Sequence, residues 1–493
     1  MKVKDKEKSG LGALIRRIHF YGGLFVGPFL IVAALSGALY ALAPTAESFA
    51  YRDILKVPEA ESTVSLEEQV NNAAAEYPDM EISQVWPAPE PGDTTRVLLY
   101  SEDDEELEGS SLSRSIFVNP YNGDVVGDEI TYSGLGELPL RYLFSQAHKN
   151  MFLGDPGRVY AELAASWMWF LALGGIYLWW KRTRSAKKMT FGYGKKQKNS
   201  RNRFMGWHGV AGVWLLVAML GLSATGITWS LFAGNNVDTT VEAMNWKANP
   251  INTTLEDFEK AQQQSGSGHE GHGGGSSSSS PEAEPVDSET IAAQADQVYK
   301  TAREEGLTGS LRLFPPADNQ SAWEASERWV NFRTTSDAIA VNGETGALVD
   351  RLDFADLPLF SKLSSWGIYL HMGIMFGLPL QLILFAVGIG IMALVIIGYV
   401  LWWKRRPTPG APAGVPGPRT NLRVSDWIAI AAFLAIFGTF LPVLGVSLVA
   451  MLIVDRVIVA RARKFPAARG AKKELEDNPE EFAVVPEDEA VTK

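Results

Sequence analysis

Four of the six histidines in this 493-residue chain lie at the ends of four long apolar segments, where they could bind metal. His19 and His208 stand at the first and third segments, and His148 and His371 shortly precede the second and fourth. Two neutral imidazoles, one on each side of a planar ring, fill both axial positions of a haem iron, which favours electron transfer over oxygen binding. The histidines therefore predict two membrane-embedded haems.

The chain contains an internal duplication. Matches recur at an offset of 189 residues between the first and third segments and of 223 residues between the second and fourth. The matched residues are His19 with His208, Gly37 with Gly226, His148 with His371, Gly154 with Gly377, and the Trp-Trp-Lys-Arg run at 179–182 with that at 402–405. Each half thus carries the same pair of histidines.

The apolar segments predict an integral protein in contact with membrane lipid. Residues 18–42, 161–180, 210–232 and 380–403 are each near or above the roughly 20 apolar residues that cross a bilayer. A further apolar run at 427–454 contains Pro442 and Gly445 and has basic residues at both ends. These features favour a helical hairpin with both ends inside over a single crossing.

The distribution of charge predicts the orientation. Residues 181–203 hold ten Lys or Arg and no acid, whereas residues 45–155 hold twenty-two acids and six bases. Basic loops remain in the cytoplasm, so the N-terminus is expected inside and both large loops outside. The net charge of −11 comes largely from the outer loops and an acidic tail, so it does not indicate nucleic acid as a partner.

The two outer loops each predict a small α+β module. Ser65, with Glu68 three residues later, is typical of a helix N-cap, and strand-like runs follow up to a turn at Asn122-Gly123. A second copy follows a Gly/Ser-rich insertion. The predicted fold is a mainly α-helical polytopic membrane protein with duplicated transmembrane helix pairs, two α+β modules and a C-terminal helical hairpin. The domain bounds are 1–44, 45–155, 156–182, 183–205, 206–233, 234–370 with its insertion at 262–286, 371–405, 406–423, 424–460 and 461–493.

Depth in the membrane determines which histidines can pair. The first and third segments run in the same direction, so His19 and His208 are expected together near the inner face, and His148 and His371 near the outer face. A ligand pair of His19 with His148 would have to bridge about 30 Å of hydrocarbon. Zinc is an alternative, but it normally takes three or four protein ligands. Each histidine taken singly could also be an ordinary interfacial residue.

Other residues near the predicted sites have a structural and a functional interpretation. Arg16, Arg17 and Arg203 could bind haem propionates at the inner face, although the positive-inside rule also explains them. Small residues beside the histidines could admit a macrocycle or serve helix packing: Gly22, Gly23, Gly209 and Gly212. Trp86, Trp323 and Trp329 could line an outer docking surface but are more typical of a buried core, and His269 and His272 could form a weak metal site in the insertion.

Several classes of cofactor are excluded by the sequence. The chain has no cysteine, which excludes disulfides, iron–sulfur ligation, thiol redox chemistry and covalent c-type haem. The inner loops contain neither a G-x-G-x-x-G turn between strand and helix nor a P-loop. Electrons are therefore expected from a membrane quinol or from an electron-donating partner.

Together, these motifs resemble a known family over residues 16–406. The AHKNMFLGDPG and LHMGIMFGLPL stretches, the Trp-Trp-Lys-Arg endings and the outer modules are similar to the PepSY-associated transmembrane family of bacterial iron-regulated inner-membrane proteins. The resemblance implies that His19, His208, His148 and His371 are axial ligands of two haem b groups. It also implies reduction of a ferric siderophore, Fe3+ to Fe2+, in the periplasm.

Two other functions remain open. In the first, the outer modules bind or inhibit an envelope peptidase without catalysis, and the apolar segments only anchor them. In the second, the chain is a haem electron-transfer protein for another periplasmic acceptor.

Overall fold

The computed structural model describes residues 10–101, 104, 107, 112–132, 135–192, 200–255, 286–405 and 422–464, the last seven of these by their backbone alone. His269 and His272, nearly all of the Gly/Ser-rich insertion and of the 406–423 linker, and the acidic tail lie outside the described residues.

The described chain is mainly helical, with one β-sheet. Most strands pair in antiparallel orientation with the strand that precedes or follows them in the sequence. Helices precede and follow each group of four strands. The helices are α1 (Leu11–Phe25), α2 (Gly27–Ala50), α3 (Arg52–Leu55), α4 (Leu66–Glu76), α5 (Pro139–Lys149), α6 (Asp155–Thr183), α7 (Ala186–Phe191), α8 (Ser200–Trp214), α9 (Leu216–Thr228), α10 (Phe232–Ala243), α11 (Ser288–Glu304), α12 (Leu359–His371), α13 (Gly377–Trp403), α14 (Val424–Phe433) and α15 (Pro442–Lys464). The strands are β1 (Glu81–Trp86), β2 (Thr95–Tyr100), β3 (Leu112–Val118), β4 (Val125–Tyr132), β5 (Leu311–Phe314), β6 (Trp323–Glu327), β7 (Ala338–Val341) and β8 (Leu348–Leu352).

Among the described residues, three single helices are long and apolar enough to cross a membrane: α2, α6 and α13. The pair α8 and α9 meets the same test together, with a bend of 59° between them. These helices correspond to the four predicted segments, so the prediction of a membrane protein is confirmed at this level. The Val424–Gly438 segment is apolar but shorter than a crossing helix.

The first and third predicted spans are interrupted at equivalent positions, Val26 and Leu215, where the sequence predicted continuous helices. At the first break Pro28 has no N–H to donate to the carbonyl of Leu24, and the hydroxyl of Tyr399 donates to that carbonyl instead, at 2.9 Å. A Cβ on Gly27 would collide with the same hydroxyl. Nothing in the local sequence explains the break at Leu215.

The two outer modules share one eight-stranded antiparallel sheet, in the order β4-β3-β2-β1-β5-β6-β7-β8. The sequence predicted two small modules and did not predict their fusion. The seam is the pairing of β1 with β5, at Val85 and Leu313. Each four-stranded half alone would leave an unpaired central edge, and joining the halves satisfies both edges at once.

The helices α4 and α11 cover one face of this sheet and bury its apolar core. The N-cap predicted for α4 is confirmed, because Ser65 Oγ accepts from the backbone N–H of Glu68 at 3.1 Å. Asp296 of α11 accepts from the N–H groups of Leu66 and Glu67, so the second half also caps the helix of the first. On the opposite face, Arg96 donates to the carbonyl of Gly136, just before α5.

The C-terminal apolar run folds back on itself. The guanidinium of Arg456 lies 4.5 Å from the ring centroid of Trp427, although the two residues lie on successive helices. A Cβ on Gly445 would overlap the backbone of Gly438, so only a side chain as small as hydrogen permits this turn. The hairpin contacts the membrane helices through Trp167, whose Nε1 donates to Ser447 Oγ at 2.8 Å.

Candidate functional site: two histidine pairs

The structure brings the four histidines together in the two pairs that helix direction predicted. The ring centroids of His19 and His208 are 6.3 Å apart, and those of His148 and His371 are 6.1 Å apart. The first pair lies beside the C-terminal halves of α6 and α13, and the second beside α2 and α9. Their role as ligands stays a prediction.

The two separations fit one metal between each pair of rings. A metal–imidazole bond of ~2.0 Å on each side, with ~1.1 Å from each nitrogen to its ring centroid, would put two opposed imidazole centroids ~6.2 Å apart. Direct packing of the two rings does not require this spacing in both pairs. Within the described part of the chain, no third His, Cys, Asp or Glu joins either pair to form a larger cluster.

Hydrogen bonds at the outer pair leave Nε2 as the nitrogen that can bind metal. Thr225 Oγ1 donates to the carbonyl of Gly221 at 2.9 Å, so its oxygen accepts from Nδ1 of His371, 2.5 Å away. In the other half Nδ1 of His148 donates to the Ala33 carbonyl at 2.9 Å, with Ser36 Oγ at 3.2 Å. A proton on Nδ1 leaves the Nε2 lone pair free for a metal.

The inner pair repeats this arrangement with backbone acceptors. Nδ1 of His208 lies 3.1 Å from the Leu394 carbonyl. Leu171 is the equivalent residue at the 223-residue offset, and its carbonyl faces Nδ1 of His19 without a hydrogen bond of normal geometry. Hydrogen bonds to a neighbouring helix of the same half therefore orient three of the four rings, and His19 faces the equivalent carbonyl without such a bond.

Glycines allow the rings to approach the helices closely. A Cβ at Gly37 would lie 3.0 Å from Cε1 of His148, and one at Gly175 would lie 3.1 Å from Cε1 of His19. Any larger residue at these two positions would crowd the ring. The sequence analysis did not select either glycine for this role.

The four glycines that the sequence analysis did select divide into two types. Gly22 and Gly209 serve helix packing, because a Cβ there would collide with Trp167 and with Trp179 respectively. Gly23 and Gly212, which occur one helical turn after His19 and His208, have nothing within 4 Å of an added Cβ. The open space lies on the same helix face as each histidine, where a macrocycle could lie against the backbone.

The three arginines predicted to bind haem propionates at the inner face differ in their exposure to solvent and in the partners that they already have. Arg16 and Arg203 are exposed, and Arg203 lies 5.5 Å from the Trp207 ring centroid. Arg17 is buried, and its Nε donates to Asp455 Oδ1 of the C-terminal hairpin at 2.7 Å. This ion pair engages the guanidinium, and the role of Arg17 as a propionate ligand, like that of Arg16 and Arg203, stays a prediction.

The tryptophans proposed for an outer docking surface are mainly structural. Trp86 and Trp323 are buried in the sheet, as their alternative interpretation predicted. Trp329 is partly exposed and stacks on Tyr369, with ring centroids 4.3 Å apart. Because Tyr369 is two residues before His371, this stack joins the sheet to the helix that carries an outer histidine.

Sequence reasoning missed the residues that orient the histidines, although the duplication contains a signal for them. Ser36 and Thr225 are related by the 189-residue offset, and Leu171 and Leu394 by the 223-residue offset. Hydroxyl residues at both copies of one apolar position could have been recognised as partners of the adjacent histidines.

A family model matches most of this chain. The family model described as the PepSY-associated TM region matches residues 16–405, a range that contains all four histidines and the whole sheet. A search of curated proteins found no match.

Proposed function

This chain belongs to the PepSY-associated transmembrane family, and we propose that it is an inner-membrane oxidoreductase that reduces a ferric siderophore, Fe3+ to Fe2+, at the periplasmic face. Two haem b groups, when bound, would supply one-electron transfer between the two depths of the histidine pairs. The observation that carries this proposal is the common spacing of the two pairs, 6.3 and 6.1 Å between ring centroids.

His19 with His208, and His148 with His371, would hold the two haems. His371 and His148 are oriented through Nδ1 by Thr225 and by Ala33, and His208 is oriented through Nδ1 by Leu394. A haem held by two histidines would supply electron transfer rather than oxygen binding. The residues therefore favour transfer to an acceptor that docks beside the outer pair.

The position of the sheet supports an acceptor on the outer side. The basic loop around α7 belongs inside by the positive-inside rule, so the sheet belongs outside, in the periplasm. Phe332 in the loop after β6 donates its backbone N–H to the Met375 carbonyl, close to His371 in sequence. This contact supports an acceptor site on the sheet side of the outer pair.

Release of iron follows from the charge of the metal. Siderophores hold Fe3+ with hard oxygen ligands, and Fe2+ carries less charge and is held less tightly. The chain has no nucleotide-binding motif in its inner loops, so a membrane quinol or a protein donor would supply electrons at the inner pair.

A reduced-minus-oxidised visible spectrum of the purified protein, with pyridine haemochrome quantitation, tests the cofactor. About two b-type haems per chain with low-spin bands support the proposal, and addition of a ferric siderophore to the anaerobically reduced protein should then reoxidise them. Absence of haem after expression with adequate haem supply would contradict it and favour the anchored peptidase-binding function. Haem that is reoxidised by other acceptors but by no ferric siderophore would leave only the electron-transfer alternative.

A further inference from the structure

Four arginines converge on the sheet face opposite α4 and α11. Val97 and Leu313 point into the core beneath those helices, so the alternating residues Arg96 of β2 and Arg312 of β5 point to the other face. Arg328, directly after β6, lies within electrostatic reach of Arg96, Arg312 and Arg141, and Arg141, in α5, also lies within reach of Arg96. We name these four residues the arginine cluster.

The centre of the arginine cluster is the indole of Trp86, at the seam between the two halves of the sheet. The guanidinium carbon of Arg328 lies 3.9 Å from a ring centroid of Trp86, and that of Arg96 lies 5.0 Å from it. Arg96 Nη1 donates to the carbonyl of Gly136 at 2.9 Å, just before α5. The cluster therefore lies between the sheet and the helix that carries His148.

Acidic residues lie within electrostatic reach of the arginines, Glu47 near Arg96 and Asp93 near Arg328 among them, but they engage the four arginines unequally. Arg141 is engaged by Glu137, at 3.6 Å, and its backbone N–H donates to Glu47 at 2.7 Å. Arg312 has Glu324 within electrostatic reach. Arg96 and Arg328 form no ion pair with a carboxylate of the described chain, and both retain partial solvent access.

Electrostatics at these two arginines favours an anion. Burial lowers the pKa of Arg96 to about 10, and it lowers the pKa of Arg328 well below its ordinary value. The positive charges of Arg96, Arg312 and Arg141 lower the pKa of Arg328 further, opposed by Asp93, which pairs with Lys56. A largely desolvated guanidinium that forms no direct ion pair is costly, so a bound oxyanion would stabilise the cluster.

The cluster adjoins both helices of the outer histidine pair. Arg141 and His148 are two turns apart on one face of α5, a rise of about 10 Å. On the other side, Arg312 is within electrostatic reach of Tyr369, two residues before His371. An anion held by the cluster would therefore lie just outside the outer pair.

We propose that Arg96 and Arg328, supported by Arg312 and Arg141, form a binding site for a carboxylate. Planar guanidinium groups suit bidentate recognition of that group. Two sources have this chemistry: the propionates of a haem held by the outer histidines, and a carboxylate-bearing ferric chelate that arrives from the periplasm. Both sources rest on the proposed function, and the second would define the class of acceptor.

Two measurements on the purified full chain distinguish the sources. The first is the rate at which haem passes from the protein to excess apomyoglobin. The second is calorimetric titration with gallium citrate, a carboxylate chelate that cannot be reduced. The variants are Arg328→Gln and Arg96→Gln, and the control is Arg351→Gln, whose partner Asp353 lies beside β8, far along the sheet from the seam.

If the propionates occupy the site, about half of the haem leaves Arg328→Gln roughly tenfold faster than it leaves the wild type. If the chelate occupies the site, gallium citrate binds the wild type one to one. Both variants then raise the Kd for gallium citrate about tenfold without changing the haem spectrum. Wild-type behaviour of both variants in both measurements would overturn the proposal. If Arg328→Gln does not fold, the same two measurements on Arg96→Gln decide whether the site exists and which carboxylate occupies it.

Failure of the proposed function gives a different result. If the purified chain contains no haem, the rate of haem transfer cannot be measured. The titration with gallium citrate alone then decides for or against the carboxylate site. Binding of gallium citrate to a haem-free chain would support the site while contradicting the redox function.

Discussion

Thr225 Oγ1 lies 2.5 Å from Nδ1 of His371, and within the described part of the chain this hydroxyl is the one hydrogen-bond partner of that nitrogen. The equivalent contact in the first half, from Ser36 Oγ to His148 Nδ1, is longer at 3.2 Å, and there Nδ1 also has the Ala33 carbonyl at 2.9 Å. Two groups can thus hold the ring of His148 through Nδ1, whereas one described group holds the ring of His371. This difference can be used to test whether they are ligands.

Thr225→Val should weaken the outer haem site. Valine keeps the shape of threonine but removes the acceptor of the His371 Nδ1 proton, and loss of such a partner typically costs 10–100-fold in metal affinity. The measurement is haem retention against apomyoglobin, followed by visible spectroscopy. About half of the haem should be lost at the faster rate, with the remainder unchanged.

Ser36→Ala is the matched control, because the Ala33 carbonyl still accepts from His148 Nδ1. Haem retention in this variant should stay within about threefold of wild type, well short of the 10–100-fold cost of a lost partner. Equal behaviour of Thr225→Val and Ser36→Ala would argue against His371 as a ligand oriented by Thr225.

His371→Ala should remove about half of the haem and abolish reduction of a ferric siderophore while membrane insertion is retained. The inner pair has its own ligands and its own orienting carbonyl, so the low-spin spectrum of one haem should persist. Pyridine haemochrome quantitation against protein concentration measures the loss. A His371→Ala protein that keeps both haems would refute the ligand assignment.

The pairing of the histidines could be predicted from sequence because it depends only on depth and direction. The duplication places His19 and His208 in segments that run the same way, and the bilayer is too thick for the alternative pairing. Hydrogen bonds such as that of His371 with Thr225 depend on side-chain rotamers and helix rotation, which hydrophobic patterns do not specify. They were therefore not predicted.

The fused sheet could not be predicted for a similar reason. Alternating apolar residues indicate strands and the face that each strand buries, but they do not identify the partner of an edge strand. The seam rests on the single residue pair Val85 and Leu313. The arginine cluster forms at this seam from residues of both halves, so no local motif in the sequence indicates it.

Gly23→Leu tests whether a macrocycle lies against α1. A leucine there meets no protein atom within 4 Å of its Cβ, so the haem-free fold should tolerate it. If the macrocycle occupies that space, the inner haem should be lost and the outer haem retained. Haem content and the melting temperature of the haem-free protein are the two measurements.

Gly22→Leu gives the contrasting result, because a Cβ on Gly22 would lie 2.8 Å from the Trp167 ring. This variant should lower the melting temperature whether or not haem is bound, since overpacking typically costs 1–3 kcal/mol. For Gly23→Leu, by contrast, full haem content would contradict the prediction, and the open space beside Gly23 would then face lipid.

Asp455→Ala should destabilise the docking of the C-terminal hairpin. The side chains of Arg17 and Asp455 are only 4% and 3% exposed, and Tyr21 also donates to Asp455 Oδ1, at 3.1 Å. Removal of the carboxylate leaves a buried guanidinium unpaired, which typically costs about 3–5 kcal/mol. Thermal unfolding in detergent should show a lower melting temperature. The double variant Arg17→Met with Asp455→Leu should recover much of it, because no buried charge remains.

The control for this experiment is Glu242→Ala, which breaks the exposed ion pair with Lys247 at 3.0 Å. An exposed pair contributes roughly 0–1 kcal/mol, so the melting temperature should hardly change. Because Arg17 is two residues before His19, loss of its partner should also release part of the inner haem, whereas Glu242→Ala should release none. Equal melting temperatures for Asp455→Ala and Glu242→Ala would show that the hairpin does not depend on this ion pair.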